Sequence, residues 1–127
     1  MNFVNTPIKW TGPAAPATTI WSQVMDLAKL TGISFQPNWA TDLTGVLSVW
    51  VSNDYGTSPA IVNPSNPMSV GTWTQLLTPV SNQPAGSPGN TFIPVFECLA
   101  AKIVLQYANT LGSGPMGGYI AGQNQGQ

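Results

Sequence analysis

The stretch GVLSVWVS, residues 45–52, decides how the rest of the chain is read. Leu47, Val49 and Val51 alternate with Val46, Ser48 and Trp50, the period of two that places successive side chains on opposite faces of a strand. β-Branched and aromatic residues dominate it, and Asn53-Asp54-Tyr55-Gly56 ends it with turn chemistry. Because Trp50 sits in register with Ser48 and Ser52, its face is not obviously the core one. One good strand cannot stand alone, so partners must be sought on either side of it.

Downstream, 57–70 is a loop carrying Pro59, Pro64 and Pro67, and GTWTQLL (71–77) is a second strand stopped by Pro79. A second long loop, PVSNQPAGSPGN (79–90), precedes an edge-like strand from Thr91 to Phe96 that contains Pro94. AKIVLQY (101–107) alternates Ile103, Leu105 and Tyr107 against Lys102, Val104 and Gln106. A GSGPMGG turn (112–118) and a short strand around Tyr119-Ile120 close the chain.

Upstream, Ile33 to Trp39 reads as a strand that Pro37 confines to an edge or a bulge. Thr18 to Gly32 fits two templates. Trp21, Val24, Met25 and Ala28 suit a helical face, whereas Ile20, Ser22, Val24 and Asp26 alternate; the strand is favoured because everything after it is β. Residues 1–17, with Pro7, Pro13 and Pro16 among small residues, form an extended N-terminal arm that a neighbour would have to order. The expectation is an all-β chain, an antiparallel β-sandwich of jelly-roll type spanning residues 18–127, with long loops and that arm.

Charge is almost missing. In 127 residues there are Lys9, Lys29, Lys102, Asp26, Asp42, Asp54 and Glu97, with no Arg or His and a net charge of −1. An ordinary domain of this length carries about 30 charged residues. Clustered cations for nucleic acid, or for an anionic membrane surface, are therefore not available. Without histidine there is no Ser-His-Asp triad and no His-containing zinc site. One cysteine, Cys98, allows no intrachain disulfide and lacks the neighbouring cation that would activate it. No apolar run approaches a membrane span or a secretory leader. Ser, Thr, Asn, Gln, Gly and Pro make up roughly half of the chain, but 43% hydrophobic residues argue for a folded domain over disorder. Near-neutrality removes the repulsion that keeps copies apart, which permits dense self-assembly.

The remaining chemistry is thin. Four carboxylates without a linking motif read as solvated turn residues, not as a glycosidase pair. Asn53-Asp54 reads as an Asx-type turn, since calcium needs six or more oxygens. The segments 86–90 and 112–118 have neither the lysine nor the following helix of a phosphate loop. Trp10, Trp21, Trp39, Trp50 and Trp73 divide among core, subunit interface and a stacking platform for sugars. No catalytic, cofactor or metal site is expected.

The order VLSVWVSNDYG (46–56), TWTQL (72–76) and AKIVLQYANTLGSGPMGGYIAGQ (101–123) resembles a β-sandwich of bacteriophage virion proteins, the capsid decoration or cementing proteins. The pattern is a strand ending in V-S-N-D-G, a downstream W-x-x-L and a late K-x-V-x-L-x-Y strand. It covers about the last two-thirds of the chain; Tyr55 intervenes before Gly56, and the arginine frequent in the late strand is missing. The resemblance implies a non-enzymatic structural protein on the outside of a phage head. There it would bridge major capsid protein subunits, often as a homo-trimer, after being made in the host cytoplasm. The alternative is a carbohydrate-binding module of a head or tail fibre, using an exposed Trp50 or Trp73.

Overall fold

A computed structural model describes residues 3–27, 30–56, 63–96 and 99–124. Among the described residues ten strands form: β1 (Phe3–Pro7), β2 (Thr19–Trp21), β3 (Met25–Asp26), β4 (Leu30–Trp39), β5 (Thr44–Ser52), β6 (Thr74–Leu76), β7 (Gly89–Asn90), β8 (Ile93–Phe96), β9 (Lys102–Leu111) and β10 (Met116–Asn124). The only helical piece among the described residues is a 3-10 turn, Pro67–Ser69. The described residues of the ambiguous segment form the short strands β2 and β3 and the start of β4, the favoured of its two templates, with residues 28–29 outside the described residues.

Two antiparallel sheets face each other. The first runs β1-β10-β4-β7, with β8 also on β4; the second runs β2-β9-β5-β6, with β3 also on β9. Counting β2 with β3 and β7 with β8 as broken single strands, the pairings nest. β1 meets β10, β2 and β3 meet β9, β4 meets β7 and β8, and β5 meets β6. The chain is one long hairpin rolled on itself, which is jelly-roll wiring.

The inner faces follow the alternation. Leu47 and Val49 of β5, Ile103, Leu105 and Tyr107 of β9, Ile33, Phe35 and Trp39 of β4, and Ile120 of β10 fill the space between the sheets. Phe35, Tyr107 and Leu105 are fully buried. At roughly 1.5–3 kcal/mol per large apolar side chain, this layer supplies the main driving force for folding.

Three expectations need correcting. Pro37 lies in β4, which is central and not an edge, with β10 on one side and β7 and β8 on the other. Its carbonyl accepts from the Thr91 N–H (3.2 Å). In an antiparallel strand a residue's nitrogen and carbonyl point the same way, so the nitrogen faces the break between β7 and β8, where no hydrogen is required. On its other flank Gly118, at φ +117°, packs so closely that a Cβ would strike the Gln36 carbonyl and Pro37 Cα. Second, the final strand is not short: β10 has nine residues and sits between β1 and β4.

Third, the N-terminal segment is extended, but residues 3–7 are held by β10 of the same chain in the register Phe3↔Gln123 to Pro7↔Tyr119. Ile8 and Ala14 then turn into the core. The physical reason is that β10 is apolar on one face only and needs a second ladder partner for its free backbone groups. Pro94 is edge-placed as expected: β8 pairs with β4, and the Pro94 carbonyl turns outward to accept from the Thr78 hydroxyl (3.1 Å).

Candidate interaction surface

The outer face of the second sheet carries an apolar layer of its own. Trp21, Gln106 and Ser48 lie in a row across β2, β9 and β5, and Trp50 stands in the next row opposite Val104. Trp21 Nε1 donates to Gln106 Oε1 (3.0 Å), and Trp50 Nε1 donates to Ser48 Oγ (2.9 Å). Val104, opposite Trp50 on the same face, is fully buried. The segment 63–70 covers this end: Met68 Sδ lies 3.1 Å from Trp21 Nε1, and Pro67 is buried.

The other end of the face is bare. Val46 is 55% exposed, Leu77 is 89% exposed, and Leu111, opposite Thr44, is 62% exposed. A shallow groove of about 330 Å³ runs beside Leu77, walled by Val46, Ser48, Gln75, Pro79 and Val80. A second groove, about 400 Å³, lies on the other flank of Leu77 against Pro94 and Val95. Among the described residues no charged side chain lines either groove. Leu77 faces out because the residue before it, Leu76, pairs with inward-facing Val49.

On the first sheet the outer face is polar to small around one exposed aromatic ring. Tyr119, 58% exposed, stands beside Gln36 and Pro7, with Ala121 and Ser34 as the next pair and Gly117 and Asn38 as the one before.

The carboxylates stay apart in role. Asp26 Oδ2 pairs with Lys102 Nζ at 3.0 Å on a largely exposed site, worth little to stability. Asp42 is exposed in the turn before β5. Asp54, after β5, accepts from the Thr72 N–H (2.7 Å) and the Ser52 hydroxyl (2.9 Å). Those bonds, Thr72 first, hold its carboxyl below the ordinary 3.8. The Asn53 side chain accepts from the Ala101 N–H (2.9 Å), so this turn is a latch between loops. A shallow cavity of about 310 Å³ beside it is lined by Ser52, Asp54, Thr72 and Thr74. Among the described residues no three His, Cys, Asp or Glu converge on one point. Lys29, Glu97 and Cys98 lie outside the described residues.

Of the tryptophans, Trp39 is core, with Nε1 on the Ser87 carbonyl (2.9 Å). Trp10 is half-buried and donates to Gly117 (3.2 Å). Trp73 is half-buried, donates to the Val70 carbonyl (2.8 Å) and meets Tyr55 edge to face. Trp50 and Trp73, the expected sugar platforms, therefore present no free indole N–H. Among the described residues no helix is long and apolar enough to cross a membrane. Comparison with protein-family models, curated proteins and solved structures found no match to this chain.

Proposed function

We propose that this chain is a non-enzymatic structural protein of a bacteriophage virion, a decoration protein that binds across junctions of the major capsid protein as a homo-oligomer. The jelly roll is an architecture shared by viral capsid and lectin domains, and a fold alone does not choose between them. The observation that favours the shell is the bare apolar end of the outer face of the second sheet, where Val46, Leu77 and Leu111 are exposed. Val46 lies within β5, Leu111 ends β9 and Leu77 directly follows β6, so the sheet presents these side chains as a packing surface requires. The segment pattern of residues 46–56, 72–76 and 101–123 points the same way. A lectin role fits less well, since Trp50 and Trp73 are both half-buried and the Trp73 ring already packs edge to face with Tyr55.

The test is reconstitution. Undecorated phage shells are incubated with the purified protein, imaged, and heated or diluted into low salt. Added density on the shell and survival to higher temperature are expected. Equal survival with no density overturns the reading.

A further inference from the structure

The link between the N-terminal segment and the rest of the sandwich is a strained turn. Ala15, Pro16, Ala17 and Thr18 form it, and the Thr18 N–H donates to the Ala15 carbonyl (3.2 Å). Ala17 stands third at φ +58°, the only positive value at a non-glycine position among the described residues. Proline second and a left-handed residue third is the type II arrangement, where glycine or asparagine normally takes the third place because a Cβ is disfavoured there. Pro16 keeps its φ in an extended chain and already biases Ala15 towards one, so straightening the link falls mainly on Ala17. Pro16, Ala17 and Thr18 are exposed, so the link can leave the turn without uncovering the core.

What this link carries is a complete docking element. β1 lies along β10 from Phe3↔Gln123 to Pro7↔Tyr119. The Ile8 N–H donates to the Gly118 carbonyl (2.9 Å), Ala14 exchanges two backbone bonds with Gly114 (2.8 and 3.0 Å), and both Ile8 and Ala14 enter the core. The structure thus shows what occupies this side of β10, and the same segment of a second copy fits it equally well.

We propose that copies of this chain exchange N-terminal arms: the 15–18 turn opens, and residues 3–14 of each copy dock on β10 of the other. Every contact of the arm is remade in the exchanged pair and the strain at both Ala17 residues is released. The opposing cost is the association of two chains, which concentration offsets. The inference rests on the proposed homo-oligomer and names how its copies join. It is read on the isolated protein without any shell, so its failure and the failure of shell binding are separately visible.

The experiment mixes chains carrying Asn5→Cys with chains carrying Ala121→Cys, all in a Cys98→Ser background. The mixture is dissolved in urea, refolded at high concentration and treated with a short bismaleimide. Asn5 and Ala121 are opposite each other across β1 and β10, a pairing that places Cβ atoms about 4.5–5.5 Å apart. Each chain has one thiol, so a covalent pair on a denaturing gel reports an arm docked on another copy. Asn5→Cys chains alone give the collisional background. The mixture is repeated with Ala17→Gly, which adopts a positive φ freely, and with Ala17→Pro, which cannot adopt one; circular dichroism checks folding. A covalent pair above background is expected with the native turn, reduced about tenfold or more by Ala17→Gly and increased by Ala17→Pro. No pair above background with the native turn overturns the proposal, and so does an equal yield with Ala17→Gly. Should Ala17→Pro fail to fold, the comparison with Ala17→Gly decides.

Discussion

The side-chain amide of Gln83 is bonded to both backbone groups of Leu47: the Leu47 N–H donates to Oε1 (2.6 Å) and Nε2 donates to the Leu47 carbonyl (3.0 Å). A single side chain thus stands in for the strand that β6, three residues long, is too short to supply. The chain then continues the imitation, with Gly45 N–H on the Pro84 carbonyl (3.1 Å) and Gly86 N–H on the Leu43 carbonyl (2.8 Å). The stretch expected as a plain loop is in part an edge to β5.

Gln83→Ala should leave both Leu47 groups without partners and cost about 2 kcal/mol in urea unfolding. Gln83→Glu is sharper. Its ionised form keeps the acceptor but sets an oxygen against the Leu47 carbonyl, whereas its protonated form restores a donor. The deficit relative to wild type should therefore shrink as pH falls through the carboxyl range and return as pH rises.

Gly118→Ala should be the most damaging alanine substitution among the glycines of β10, at least about 3 kcal/mol, because the new Cβ meets backbone of Gln36 and Pro37 that cannot yield. Gly12→Ala, with open space around the new atom, should stay within about 0.5 kcal/mol. Thermal melts of both variants check the contrast.

The Tyr107 hydroxyl donates to Asn109 Oδ1 (2.8 Å), and Asn109 Nδ2 donates to the carbonyls of Ala15 (2.8 Å) and Gly112 (2.9 Å). Asn109→Ala should cost about 3 kcal/mol and expose the N-terminal segment to protease. Burial pushes the Tyr107 phenol up to about 12 from 10.0. A raised value means the stabilisation is intact below pH 10 and lost as pH climbs towards 12. That part of the alkaline slope should vanish in Tyr107→Phe, followed by tyrosinate absorbance.

Asp54 works in the opposite sense. Its carboxyl is held below 3.8, so its contribution is present above that value and lost as pH falls below it. Asp54→Ala should flatten the acid limb of the melting profile and speed exchange of the Thr72 amide roughly tenfold.

Much of this was legible residue by residue. The alternation in 45–52 and 101–107 identified β5 and β9 and their inward faces, because Cβ direction follows from backbone geometry alone. Pro94 was correctly placed at an edge. The same rule misplaced Pro37, since a proline's cost depends on what its nitrogen faces, and the gap between β7 and β8 is made by residues more than fifty positions later in the chain. Similarly, the serines flanking Trp50 left its face open between core and surface, and its place on the outer face, with its indole on Ser48, became visible only in the folded sheet.

From its residues alone, then, the chain was committed to strands, to an inner face, and to a surface with few charges, because each depends on side-chain identity and local period. Strand order, the Gln83 clamp on Leu47 and the exposure of Leu77 were decided only by the tertiary fold. They join groups such as Leu47 and Gln83, thirty-six positions apart, whose meeting no local preference encodes and only the closing of two sheets over one core enforces.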